Sequence, residues 1–275
     1  MESQRPDARE TSQTVDVIHE PRVYLVGKTQ MDQDVVDQFL DDEATTWQTD
    51  GDSGSELLSE LAGRVCYMSF GERQGRRSNH DYLANIISMA HGSVLEHAVW
   101  NFLVTGVSRS FTHELIRHRA GWAYSQLSQR YVDESEAAYV EPAIIAADPD
   151  LHTVWLHAIQ TSHRAYQDLA SGLSVKIARD FSDMALRDKR KKAREAARSV
   201  LPNATETKIV MSANGRALRH FVEYRGAADA EPEIRSVALR VLRIMQVEAP
   251  SLFRDYAVHE LPDGSAAAGT EYKKV

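Results

Sequence analysis

The sequence predicts an α+β fold, a mixed sheet flanked by helices, and two observations carry that expectation. Segments with apolar residues at helical spacing alternate with β-branched and aromatic runs. The alternation is irregular, without the repeated strand–helix–strand units of a doubly wound sheet. There is no internal repeat and no glycine-rich dinucleotide fingerprint.

Polar, aperiodic ends set the outer limits. Residues 1–20 and 261–275 are expected to be flexible tails around one domain at 21–260. Within it, PRVYLVGKT predicts a strand between Pro21 and Gly27. SELLSELAGRVCYM (55–68) and HDYLANIISMAH (80–91) have helical periodicity. HAVWNFLVTG predicts a largely buried strand, and SRSFTHELIRHR a short helix capped by Ser108. Two helices are expected over 150–170 and 174–187, and a third over KKAREAARSVLP, stopped by Pro202. ETKIVMSAN is strand-like, and Asn214 is placed to cap the helix GRALRHFVEYR. Pro232 opens a helix through Glu248 whose inner face is Ile234, Val237, Ala238, Val241, Leu242 and Met245.

Composition excludes several function classes. The net charge of −8 argues against general attraction to nucleic acid. No apolar run approaches the roughly 18 residues of a membrane helix. The single cysteine, Cys66, cannot form an internal disulfide, which suits a reducing cytoplasm. It sits in an apolar helix and is expected to be core. HELIRH (113–118) is not the zinc-protease motif. On a helix the five-residue step from His113 to His118 turns them about 140° apart, so no shared metal is expected.

The chemistry concentrates in RHRAGWAYSQLSQRY (117–131), where cations alternate with aromatics and amides. That composition suits a ligand with both charge and a flat ring. Ser125 and Ser128 lack a nucleophile context. Ser128 followed by Arg130 is better suited to gripping an anion, since hydroxyl and guanidinium together supply several donors. The basic run KRKKAREAAR (189–198) reads as a solvated face.

RHR followed by SQLSQRY resembles the signature of the flavin-dependent thymidylate synthases, Arg-His-Arg, seven residues, then Ser. The likeness extends in order over residues 65–255, through SVLEHAVWNF, REAARSVLP and MSANGRALRHFVEYR. It implies FAD held by His97, Arg117, His118, Arg119, Gln126, Asn214 and His220. It implies a pyrimidine nucleotide at Glu114, Ser128, Gln129, Arg130, Arg198 and Arg225, with catalysis centred on Arg225 and Ser128. It also implies methylenetetrahydrofolate as carbon donor, NADPH as reductant and a homotetramer with active sites shared between subunits. Hydride from reduced flavin replaces the cysteine of ordinary thymidylate synthases, so a lone cysteine outside the motif is expected.

One departure stands out. Eight residues, Ala120 to Leu127, separate Arg119 from Ser128, one more than the signature has. Gly121 can absorb the extra length. The expectation is that the longer loop loosens sugar recognition, so that UMP is methylated as well as dUMP. The alternatives are an enzyme specific for dUMP, a flavin-binding homologue that does not methylate, and a nucleic-acid-binding module.

Overall fold

The computed structural model describes residues 14–275. In chain order the elements begin with β1 (Val17–Ile18), β2 (Arg22–Lys28), α1 (Gln33–Asp42), α2 (Gly54–Tyr67) and α3 (Asn79–Ser88). Then come β3 (Val99–Ser108), α4 (Arg109–Leu115), β4 (Trp122–Gln126), β5 (Tyr139–Val140) and α5 (Ala143–Ala146). They are followed by α6 (Pro149–Asp180), α7 (Leu186–Ala197), β6 (Glu206–Asn214) and α8 (Gly215–Arg225). The last are α9 (Pro232–Glu248), α10 (Pro250–Phe253), β7 (Ala257–Glu260) and β8 (Ala266–Gly269). Strand and helix mix irregularly, as the α+β expectation holds.

The chain packs as two compact units. One comprises Glu20–Gln126 and Thr207–Val275. The other comprises Leu127–Glu206 with the described residues up to His19.

The larger unit is built on a sheet of order β2-β3-β6-β4. β2 runs antiparallel to β3, and β4 antiparallel to β6. Trp100, Phe102 and Val104 alternate along β3 and are fully buried. The expected inner face of α9, from Ile234 to Met245, is buried at all six positions. Ser108 caps α4 by accepting from the Phe111 amide (3.0 Å), and Glu233 of α9 accepts from the Ser108 amide and hydroxyl (both 2.6 Å). Asn214 caps α8 by accepting from the Ala217 amide (2.8 Å).

α2 departs from expectation. Its buried residues include Ser55, Glu56, Ser59, Glu60 and Arg64, while Cys66 is exposed. The interior of this helix is an ion pair rather than an apolar stripe. Arg64 Nε donates to Glu60 Oε1 (2.6 Å), and its other nitrogens donate to the carbonyls of Ser69 (3.2 Å) and Arg76 (2.6 Å). Glu60 also accepts from Trp47 (3.1 Å), Thr49 (2.8 Å) and Asn79 (2.8 Å). Two positions beyond Arg64 a helix has turned about 200°, which sends Cys66 outward.

The expected C-terminal tail forms half of a hairpin, with Ala257–Glu260 antiparallel to Ala266–Gly269. Ala267 and Ala268 are buried, and the Ala268 amide donates to the Gly226 carbonyl (2.7 Å). Alanines have no β signal in sequence, but their small size allows this close approach.

In the smaller unit, Val17–Ile18 pairs in parallel with Tyr139–Val140, so the expected N-terminal tail holds a short strand. Residues 1–13 of that tail lie outside the described residues. Asp148 caps α6, accepting from Asp150 (2.9 Å) and Leu151 (3.2 Å) amides, and Pro149 occupies the first turn. The two helices expected at 150–170 and 174–187 are one helix to Asp180. Gly172 is exposed with open space around it, so nothing there forces a break. The interruption falls at 181–185 instead, before α7.

Arg64→Met is expected to destabilise the protein by about 3–5 kcal/mol, because it leaves the Glu60 charge buried without its partner. Urea unfolding measures this, and a loss below about 1 kcal/mol would contradict the buried-pair account.

Candidate active site

α4 ends at Leu115, and the chain then turns rather than continuing as helix. The His118 amide donates to the Leu115 carbonyl (3.1 Å), and the Trp122 amide to the Arg119 carbonyl (3.2 Å). His113 and His118 therefore do not share a helix. Gly121 completes the turn at φ +74°, the left-handed region that favours glycine. A Cβ there would lie 2.6 Å from Asn214 Nδ2. The Asn214 side chain is held by its cap bond, and the Asn214 backbone amide donates to the Gly121 carbonyl (3.1 Å).

β4 then pairs with β6 in unbroken register, from Trp122↔Ala213 to Gln126↔Ile209. No bulge interrupts the ladder. The irregular backbone between Arg119 and Gln126 is therefore the turn at Ala120–Gly121, beside Asn214.

This turn and α8 enclose a cavity of about 950 Å³ lined by Arg117, His118, Arg119, Asn214, His220 and Arg225. The volume lies at the upper end of small-molecule sites, about 300–1,000 Å³. Arg225 Nε donates to His118 Nε2 (3.0 Å). Arg225 also grips Glu114 Oε2 (3.1 Å), and Arg117 Nε lies 3.5 Å from Glu114 Oε1. Burial, with the Arg225 and His220 charges beside it and Glu114 opposing, pushes His118 down to about 4. His118 is therefore neutral near pH 7, with its proton on Nδ1, since Nε2 accepts. The Tyr124 hydroxyl donates to the His118 carbonyl (2.8 Å), and burial raises that hydroxyl well above the ordinary tyrosine range.

Aromatic rings back the cations. The His118 ring lies 5.9 Å from Trp122, 5.8 Å from His220 and 5.3 Å from Phe221. His220 is 4.5 Å from Tyr224. A wall of cations, neutral hydrogen-bonding groups and flat rings fits a ligand with phosphates and an aromatic ring system. Flavin adenine dinucleotide has that chemistry.

The remaining expected residues lie elsewhere. His97 is exposed and does not line the cavity. Gln126 donates to Thr112 of α4 (3.2 Å) and to Thr207 of β6 (3.3 Å). Ser128, Gln129, Arg130 and Arg198 belong to the other unit. There Ser128 Oγ accepts from the Arg130 amide (3.4 Å), and Arg130 Nε faces Glu195 (3.4 Å). Gln129 is buried, and its Nε2 has no hydrogen-bond partner among the described residues.

Sequence reasoning missed Trp122, Tyr224, Arg216 and Lys274 as cavity residues. Trp122 and Tyr224 lie beside motif positions, so adjacency was a usable signal. Lys274 had none, because it lies in the expected tail. It reaches the cavity because its amide donates to Glu223 (3.0 Å) and Arg219 holds the Tyr272 carbonyl (3.4 Å).

The His118 geometry sets a pH dependence. An unfolded histidine titrates near 6.5. Between that value and about 4 the unfolded chain binds the extra proton, so stability falls as pH drops through 6.5 and the loss is complete near 4. An NMR titration of His118 is expected to show a midpoint near 4, and a midpoint near 6.5 would contradict the buried, Arg225-bonded ring.

The sequence profile of the family described as "Thymidylate synthase complementing protein" matches residues 49–251. The chain is 45% identical over 248 residues to the flavin-dependent thymidylate synthase of Mycolicibacterium gilvum, covering 90% of this chain and 94% of that protein. Identity and coverage are the same for the Mycobacterium marinum enzyme of that name. Among solved structures, the UMP/dUMP methylase PolB from Streptomyces cacaoi bound with 5-Br UMP is similar at a TM-score of 0.60 and 20% identity, covering 87% of this chain and 95% of that one. The same protein bound with 5-Br dUMP gives 0.58 at 21% identity. The fold is the one these methylase structures have, and the chain belongs to the flavin-dependent thymidylate synthase family.

Proposed function

We propose that the chain methylates C5 of uridine 5′-monophosphates, accepting both UMP and dUMP. The observation that carries this is the single cavity into which separate sequence segments bring Arg117, His118, Arg119, Asn214, His220 and Arg225. The names of the relatives and of the structural neighbour support the same chemistry. Bound FAD, once reduced, supplies the hydride. Methylenetetrahydrofolate gives the carbon, and NADPH restores the flavin.

The residues divide the work. Arg117 and Arg119 answer the flavin diphosphate with charge-assisted bonds. His118, neutral, keeps Arg225 aimed without adding a competing charge. Asn214 and His220 hold the flavin, with Gln126 and His97 completing the set on assembly. Ser128, Gln129, Arg130 and Arg198 hold the nucleotide phosphate, and Glu114 orients the uracil. Sites shared between subunits of a homotetramer in the cytoplasm reconcile these roles with residues that lie in two units. Exposed Cys66 takes no part.

The neighbour's capture of both 5-Br UMP and 5-Br dUMP supports the broader substrate reading.

A turnover assay with labelled methylenetetrahydrofolate tests the proposal. The expected kcat/KM values for UMP and dUMP lie within about a hundredfold, the scale of one unpaired hydroxyl. Rejection of UMP beyond about a thousandfold would mean a site built against the ribose hydroxyl. Absence of labelled product with both nucleotides would defeat the methylation reading. A second test mixes inactive Arg225→Ala and Ser128→Ala subunits. Regained activity is expected if one site draws on two chains, and none if each chain works alone.

A further inference from the structure

The basic run expected to be a solvated face lies on α7 and meets Tyr131. Arg187, Arg190, Lys191 and Arg194 recur at helical spacing and share one face. With Arg130 and Tyr131 they line a concavity of about 380 Å³. The spacing creates four like-charge pairs, Arg187–Arg190, Arg187–Lys191, Arg190–Arg194 and Lys191–Arg194. Each such pair costs a helix about 0.2–0.5 kcal/mol.

Compensation reaches only part of the cluster. Arg194 is held by Asp133 (2.8 Å) and the Tyr131 carbonyl (2.7 Å). Glu195 is engaged by Arg130 (3.4 Å). Among the described residues, no carboxylate lies within 4.0 Å of the charged nitrogens of Arg187, Arg190 or Lys191. Tyr131 stands among these cations with 51% of its surface exposed. Lys191 Nζ is 5.2 Å and the Arg187 guanidinium 5.9 Å from its ring. A hydrogen bond from Lys191 and its charge, with Arg130 and Arg187 nearby, draw the Tyr131 hydroxyl below its usual range. A helix that gathers repelling charges in a concavity breaks a local rule, and such breaks concentrate at functional sites.

We propose that this concavity binds the oligoanionic end of a co-substrate, a run of carboxylates or phosphates, with Arg187, Arg190 and Lys191 as its ligands. The volume is at the low end of small-molecule sites, about 300–1,000 Å³, which suits the charged end of a ligand rather than a whole dinucleotide. The identity of the co-substrate rests on the proposed function. The two sources are the glutamate chain of the folate and the phosphates of the reductant.

The test titrates inorganic tripolyphosphate calorimetrically into the full chain supplied with FAD and saturating dUMP. One site per chain is expected. In Arg187→Ala/Lys191→Ala it is expected to weaken at least about tenfold, as loss of charge-assisted bonds requires. Alanine favours helix and removes repulsion, so α7 is preserved. Lys273→Ala, outside the concavity, should bind as the wild type. KM is then compared for pentaglutamyl and monoglutamyl methylenetetrahydrofolate, and for NADPH and NADH. A rise confined to the pentaglutamyl form assigns the site to the folate, and a rise confined to NADPH assigns it to the reductant. No tripolyphosphate site, equal binding in the double variant, or a KM set that does not move would overturn the proposal. Loss of salt-sensitive binding to a single-stranded oligonucleotide, with both KM comparisons unchanged, would replace it with a nucleic-acid surface. Absence of turnover with either nucleotide would defeat the proposed function, while the tripolyphosphate titration would still report on the concavity.

Discussion

Arg225 donates to Nε2 of His118, and that bond exists only while Nε2 carries no proton. It ties the end of α8 to the turn that follows α4. The same guanidinium reaches Glu114 on α4, so one side chain fastens two elements. Behind the bond, Phe221, Trp122 and His220 crowd the imidazole and keep it in place. With His118 fixed, the main chain from Arg117 to Gly121 has one course, and the cavity wall follows from it. A protonated ring would face Arg225 as a like charge, donor against donor, and the wall would lose its anchor.

Cations are rationed in this acidic chain. In the larger unit Glu114 stands between Arg117 and Arg225, which lets two guanidiniums approach without direct repulsion. Asn214 and a neutral His118 supply hydrogen bonds without more charge. Gly121 contributes by lacking a side chain, since a Cβ would strike the Asn214 amide that also caps α8. The cap and the turn are therefore one structure, and neither can change alone.

Much of this was legible in the sequence where local chemistry and packing agree. Ser108 and Asn214 cap as their positions suggest, because a side-chain oxygen before an apolar-periodic run satisfies a free amide. The α9 stripe is buried residue for residue. The failures share a cause: partners far along the chain. The pair Val17–Ile18 becomes a strand only because the distant Tyr139–Val140 pairs with it, and the alanines of β8, paired with neighbouring β7, are buried against the distant Gly226 carbonyl. α2 reads as apolar, yet its interior is the Glu60–Arg64 pair, satisfied by Trp47, Thr49 and Asn79. The same limit governs the site. RHR was visible as a cationic motif, but its geometry is a turn, and Lys274 joins the cavity from a stretch with no motif at all.

The central claim is that the cavity beside His118 holds the flavin, and Trp122, which lines it, is a built-in reporter. FAD titrated into the flavin-free protein is expected to quench tryptophan emission to a stoichiometry of about one per chain, and Trp122→Phe to remove most of that quench while binding persists by flavin absorbance. Flavin that binds with the quench undiminished in Trp122→Phe, or no binding by the wild type, would contradict the account.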